Sequence, residues 1–423
     1  MIGLAVAMLA FVPALSAQSG VGTEGTFFIY GGTVVVGNGQ RIVGANVLVQ
    51  DGRIAGVGTS VSAPAGSTMI DASGQFVYAG MIDSYTSIGL NEIGGINTMN
   101  MRSELGEYNP HMRAIVAVNT GSEMLGATRS NGVTSAITAP DGGVISGQAA
   151  LINMDGWTWE DMSVKSNAGY VVNYSPPPPS PRRGFVRLSG RRAERAKERV
   201  EELKGELEKA RVYHLAREGG LEDIDLVYES MRPLMRGEVP AIINAESQEE
   251  IEGALALADE YGLRIVIRGG RDAWKVREQL ADADVPVVLG SLRVTPENDV
   301  PYDAIYAQPG ILVQAGVKIA FSTGTQAQAR NVPYHAALAT AYGLSPEDAW
   351  RALTVWPAEI WGVDDVIGTV EEGKMANLFV ADGDPLDIRT HVTEVFIKGR
   401  HVPMDDRATR LYEKHDARPI GNR

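Results

Sequence analysis

The chain predicts an α/β protein built as a TIM-like (β/α)8 barrel, with a composite β-sandwich assembled from its N- and C-terminal flanks. Three observations carry this. Residues 27–76 run as short strand-like segments broken by glycine turns. The middle of the chain repeats a short apolar stretch followed by an amphipathic helical stretch, the pattern of a parallel sheet with helical connections. Beyond residue 378 the β-rich character returns, so two β flanks bracket one α/β body. A length of 423 residues suits an eight-fold barrel.

In chain order, residues 1–17 read as an export signal. Residues 4–15 are apolar apart from Pro13, the small residues Ser16 and Ala17 follow, and cleavage is expected near Ala17–Gln18. No Lys or Arg precedes the run, and a buried strand is the alternative reading. Residues 26–78 and 364–404 are assigned to the composite unit, with a hairpin turn at Asp51-Gly52. The barrel is assigned to residues 79–363. Its expected strands are 76–83, 133–139, 241–245, 264–268, 285–290 and 317–322; its expected helices include 247–261, 272–281 and 345–353. The last of these places Pro346 at its first helical position.

One stretch, 176–217, breaks the rhythm. Pro176-Pro177-Pro178-Pro179-Ser180-Pro181 is a stiff extended spacer. Residues 182–199 then hold a net charge of +6 within a chain of −14. Over 191–215, Ala196, Val200, Leu203, Leu207 and Ala210 form a narrow apolar stripe on a charged helix. Glu194/Lys197, Glu201/Lys204, Glu206/Lys209 and Glu208/Arg211 support it at i,i+3 spacing. Two readings stand side by side: a barrel-side helix with a solvated face, and a docking element for a partner or an anionic surface.

Composition removes several function classes. The acidic balance argues against nonspecific nucleic-acid binding. The absence of cysteine excludes disulfides, thiolate metal ligands and a cysteine nucleophile. No stretch is apolar for the roughly 18 residues a span needs, so no membrane span is expected after signal cleavage. An exported, periplasmic protein is the resulting expectation.

The segment Ala79-Gly80-Met81-Ile82-Asp83-Ser84-Tyr85-Thr86-Ser87 resembles the first barrel strand of the amidohydrolase superfamily, where Pro-Gly-Met-Ile-Asp-x-His-x-His supplies two metal ligands. The resemblance covers about residues 26–402. It includes Asp71-Ala72-Ser73-Gly74, Leu344-Ser345-Pro346-Glu347-Asp348-Ala349, Thr354-x-x-Pro357-Ala358 and Gly368-x-Val370-Glu371-x-Gly373-Lys374-x-Ala376-Asn377-Leu378. Ile145-Ser146-Gly147-Gln148 and Asp155-Gly156-Trp157-Thr158-Trp159-Glu160-Asp161-Met162 resemble the exported, imidazolonepropionase-like members.

The resemblance implies one or two divalent ions, usually zinc, that activate water and polarise the scissile carbonyl. Its ligands are the strand-one histidines, a carboxylated Lys or a Glu, single histidines after strands five and six, and an Asp after strand eight. Here the recognisable positions carry Tyr85, Ser87, Asn244, the Arg268-Gly269-Gly270 segment and Gly324. Six histidines remain in the chain, none in a paired spacing. Other candidates to line the barrel mouth are His111, Gln148, Glu246, Thr323 and His335, with a structural histidine as the plainer reading of His111 and His335.

The expectation is therefore a ligand-depleted, noncatalytic homologue (a pseudoenzyme) with no metal cofactor. It would act as a partner or ligand-binding subunit, as a homo-oligomer or beside an active amidohydrolase. The alternative is an active hydrolase of non-peptide carbon–nitrogen bonds, such as a cyclic amide or dipeptide-like substrate, with zinc held by other residues or with metal-free chemistry on Tyr85, His111 or Glu246.

Overall fold

A computed structural model describes residues 21–37, 39–92, 100–174, 189–295 and 300–418, with backbone alone at 189–196. The signal expected at 1–17 and the proline spacer at 176–181 lie outside the described residues.

Two eight-stranded sheets organise the chain. The first takes β1 (Phe27–Val35), β2 (Arg41–Gln50), β3 (Arg53–Gly58), β4 (Thr68–Asp71) and β5 (Phe76–Ala79) from the N-terminal flank. Strands β14 (Leu378–Ala381), β15 (Val392–Ile397) and β16 (Arg400–Val402) come from the C-terminal flank. The two flanks join where β5 pairs antiparallel with β14, Ala79 opposite Leu378. The β2–β3 hairpin turns at Asp51 and Gly52, both left-handed (φ 51° and 79°), as the dipeptide predicts. Alternate residues Ile29, Val47, Val49, Val77, Leu378 and Phe396 close on one shared core. The sandwich expected from the flanks is thus one continuous sheet wrapped on its own interior.

The second sheet is the barrel: β6 (Met81–Thr86), β7 (Val133–Thr138), β8 (Ile145–Asn153), β9 (Ser163–Asn173), β10 (Ala241–Ala245), β11 (Ile265–Gly269), β12 (Val287–Leu289) and β13 (Ile319–Phe321), neighbouring in that order. It departs from a uniform (β/α)8 pattern at one strand. β8 runs antiparallel to both neighbours. Only residues 139–144 separate β7 from β8, and a parallel crossover needs a dozen or more. The chain therefore turns back on itself there. The expected run 76–83 also divides, β5 going to the flank sheet and β6 to the barrel.

The helices follow the sequence closely. Helix Gln248–Tyr261 carries a capping box between Ser247 and Glu250 and stops at left-handed Gly262. The expected 272–281 helix is a 3-10 turn, Ala273–Val276, leading into Arg277–Asp282. The charged helix spans Ser189–Glu218, with Leu203, Leu207 and Ala210 fully buried. Lys209–Glu206 and Arg211–Glu208 pair as the spacing predicts, while Lys204 reaches across to Glu260 at 2.8 Å. The stripe docks this helix against its own barrel.

Two polar clusters lock the sheets together. Asn377 donates to Ser135 Oγ (3.0 Å) and Asn153 Oδ1 (2.7 Å) of the barrel, and accepts from Lys398 N–H (2.8 Å) of the flank sheet. Asp155, whose side chain is fully buried, pairs with Arg129 at 3.0 Å and Arg400 at 2.9 Å. Asp161 adds Lys398 and the other side of Arg400. The segment 155–162, noted in the sequence as a motif, is therefore the joint between the β8–β9 connection and the C-terminal flank.

Candidate functional site

Alternation along the barrel strands sends every second residue inward. Val171, Ile242, Val266, Val288 and Ala320 fill the lower interior with Ile82, Ile137 and Leu151 as a dry plug. One step toward the C-terminal ends, the inward positions of three adjacent strands are polar: Asn173, Asn244 and Arg268, aligned side by side in register. This is the face on which barrel proteins build their sites. Asn244 donates to Asn173 Oδ1 at 2.6 Å, and Asn173 donates to Gly143 O and Ser146 Oγ at 2.9 and 3.0 Å.

Arg268 is the centre of this layer. Its guanidinium lies 4.5 Å from the centre of the Tyr85 ring. Such a stack contributes about 0.5–2 kcal/mol, more as water is excluded. Gly324 makes the room: a Cβ there would stand 3.0 Å from Arg268 Nη2. Gly324 also takes a left-handed φ of 74° and donates its N–H to Tyr85 O at 2.9 Å. Arg268 makes no hydrogen bond or ion pair with any described residue, and its Nε is buried without a partner. Burial pushes the Tyr85 phenol up, against the opposing pull of Arg268.

Of the positions expected at the vanished ligand set, Tyr85, Asn244, Arg268 and Gly324 thus converge on one locus. Ser87 is drawn aside, donating to Gln326 Oε1 at 3.0 Å. Glu246 stands at the rim after β10, solvent-touched yet crowded by the concave mouth. That crowding pushes its carboxyl up, although Arg268 and Arg271 draw it back and the Arg271 N–H donates to it at 3.2 Å.

The remaining candidates serve the scaffold. Gln148 donates to Pro110 O at 2.9 Å and pins the turn that carries His111, which is itself exposed. His335 is buried in helix Val332–Thr340, where Nδ1 accepts the Leu292 N–H at 3.2 Å. Burial, aided by Arg293, lowers its pKa to about 4, so it stays neutral. Thr323 donates its N–H (3.1 Å) and its hydroxyl to Asp83, while Tyr85 N–H reaches the same carboxyl at 3.3 Å. Asp83 is fully buried and ties β6 to the end of β13, where the barrel sheet meets itself. Burial outweighs those hydrogen bonds and raises its pKa to about 7.

Sequence reasoning passed over Asn173, Trp274 and Tyr302. Asn173 ends a strand without visible periodicity. Trp274 lies in the Ala273–Val276 turn and Tyr302 on a connection, and with Leu292, Glu246, Arg268 and Arg271 they line a cavity of about 430 Å³ beside the polar layer.

The donor set does not suit a divalent ion. Zinc takes three or four nitrogen, oxygen or sulfur donors. The converging positions offer a neutral phenol, a carboxamide already bonded to Asn173, a guanidinium and a glycine. A guanidinium stays protonated and has no lone pair to give. Among the described residues no group of three or more His, Asp or Glu gathers in a ligating arrangement.

Comparison with known proteins places this architecture. Residues 305–402 match the model of the amidohydrolase family. A curated amidohydrolase, tasK of Hapsidospora irregularis, is 23% identical over 393 residues, 84% of this chain and 39% of its own length. The chain thus spans about two fifths of that relative. The solved structure of an amidohydrolase from Thermotoga maritima MSB8 superposes with a TM-score of 0.79 at 27% identity, covering 89% of this chain and 99% of that one. A structure described as a putative prolidase from Bifidobacterium longum shares the fold at 19% identity and a TM-score of 0.54, covering 93% and 99%. The family model over residues 305–402, the 23% identical curated relative and the 27% identical solved structure together support assignment of this chain to the amidohydrolase superfamily.

Proposed function

We propose that this protein is a metal-independent member of its superfamily whose barrel mouth binds a small molecule without cleaving it through a metal-activated water. The observation that carries this reading is the guanidinium of Arg268, 4.5 Å from the Tyr85 ring centre and seated over Gly324. A fixed protein cation stands where the family's ligand positions converge. It supplies positive charge and hydrogen-bond donors, and it supplies neither an open coordination site nor a base. In this reading the protein takes no catalytic metal and is exported to the periplasm. It works as an oligomer, either of itself or with an active amidohydrolase. No helix among the described residues is long and apolar enough to cross a membrane.

Elemental analysis tests it. Protein purified without chelator and dialysed against zinc is expected to hold well under one ion per chain. Retention of about one zinc or more, the stoichiometry of a catalytic site, would falsify the reading.

Glu246 favours a second reading. Desolvation raises its carboxyl above the ordinary value, against the pull of Arg268, and a carboxyl beside the barrel mouth is a candidate for general acid–base work. The protein would then hydrolyse a carbon–nitrogen bond of a cyclic amide or dipeptide-like compound without a metal-bound water. Turnover that persists in EDTA and is abolished in Glu246→Gln supports this reading; absence of turnover across such substrates removes it.

A further inference from the structure

Arg268 faces two environments. It packs on Tyr85 on the barrel axis, and it also forms part of the wall of the adjoining cavity. At about 430 Å³ that cavity falls within the range of small-molecule sites. The same lining carries the apolar side chains Leu292, Trp274, Ile305 and Tyr302. Tyr302 is 69% exposed and the neighbouring Val294 45%, apolar surface that a ligand would cover. Leu292 is held in position by His335, whose Nδ1 accepts its backbone N–H. Charge at the site is mixed: Glu246 and Asp272 line the same cavity as Arg268 and Arg271.

The geometry points to a specific ligand class: a monocarboxylate with an apolar or aromatic body, its carboxylate on Arg268 and its body against Leu292, Trp274 and Tyr302. This rests on the reading of the barrel mouth as a ligand site. Three arguments select the class. An arginine that makes no hydrogen bond or ion pair with any described residue is suited to a planar, bidentate oxyanion. Two carboxylates in the same wall favour a single negative charge over a phosphate dianion, since like charges in a shielded mouth repel strongly. The apolar part of the lining repays burial of a hydrocarbon body at about 25 cal/mol per Å², which a small hydrophilic acid would forgo.

Isothermal titration of the full chain in EDTA, with 4-phenylbutyrate, its amide, acetate and inorganic phosphate, tests this. Phenylbutyrate is expected to bind at least about tenfold more tightly than the other three, the scale of one charged hydrogen bond or a buried ring. Arg268→Gln should remove that advantage over the amide and leave the amide's own affinity in place. Tyr302→Ala should weaken phenylbutyrate and amide alike. Tyr302 is exposed, so this variant keeps the test open should Arg268→Gln fail to fold. Equal affinity for acid and amide, tighter binding of phosphate, or full phenylbutyrate affinity in Arg268→Gln would overturn the inference. Metal uptake is read separately by elemental analysis, so the wider reading and this one can fail independently.

Discussion

In the proposed reading, Arg268 sets the chemistry of the barrel mouth. A divalent ion there would acidify water and polarise a carbonyl; a guanidinium holds an anion and does neither. Its position depends on Gly324 opposite and on Tyr85 beneath. Asp83 sits one layer deeper, and its carboxyl is raised to about 7 by burial. The folded pKa lies above the unfolded value of about 4, so the fold prefers the neutral acid. That preference contributes fully below about pH 4 and is lost as pH rises through about 7. Asp83→Asn keeps acceptors for the Thr323 and Tyr85 N–H groups and carries no charge. Its stability relative to wild type is expected to rise between pH 4 and pH 8, by on the order of a few kcal/mol. Chemical denaturation of both proteins across that range checks it, and parallel pH profiles would refute the assignment.

At the scale of elements, the joint between barrel and flank sheet is ionic as well as hydrophobic. The side chain of Asp155 is fully buried between Arg129 and Arg400, themselves nearly buried. Removing it leaves two shielded cations without compensation, which costs about 3–5 kcal/mol. Asp155→Ala is expected to lose that much in denaturant unfolding, whereas Asp387→Ala, which breaks an exposed pair with Arg389, should lose under about 1 kcal/mol. Comparable losses in the two would mean the cluster contributes no more than a surface pair. The helix Ser189–Glu218 makes the complementary point: its stripe buries Leu203 and Leu207 against the barrel side, so its charged face is left to solvent.

For the whole molecule, the flank sheet couples the chain's two ends. β14 pairs with β5, and among the described strands this pairing joins β14–β16 into the sheet of the N-terminal strands. Truncation after residue 372 removes these three strands and leaves β5 an unpaired edge over an open core that includes Val77 and Ala79. The truncated protein is expected to aggregate or lose cooperative unfolding, judged by size-exclusion chromatography and thermal melts. A monomer with a sharp transition would show that the barrel stands without its flank.

What the residues alone determined follows from local chemistry. Asp51-Gly52 makes its turn because few residues accept two left-handed positions in succession, and the stripe on Ser189–Glu218 is readable because helical spacing is short-range. The residue types at Tyr85, Asn244 and Gly324 were legible too, since each is a residue identity. Strands β8 and β9 were not. All nine residues of β8 are buried, so no polar alternation marks it, and its Ser, Gly, Gln and Ala have little strand preference. Nor could spacing reveal that Arg268 stacks on Tyr85 or borders a cavity with Trp274 and Tyr302. Those residues come from separate strands and connections, and only closure of the barrel brings their side chains within reach of one another.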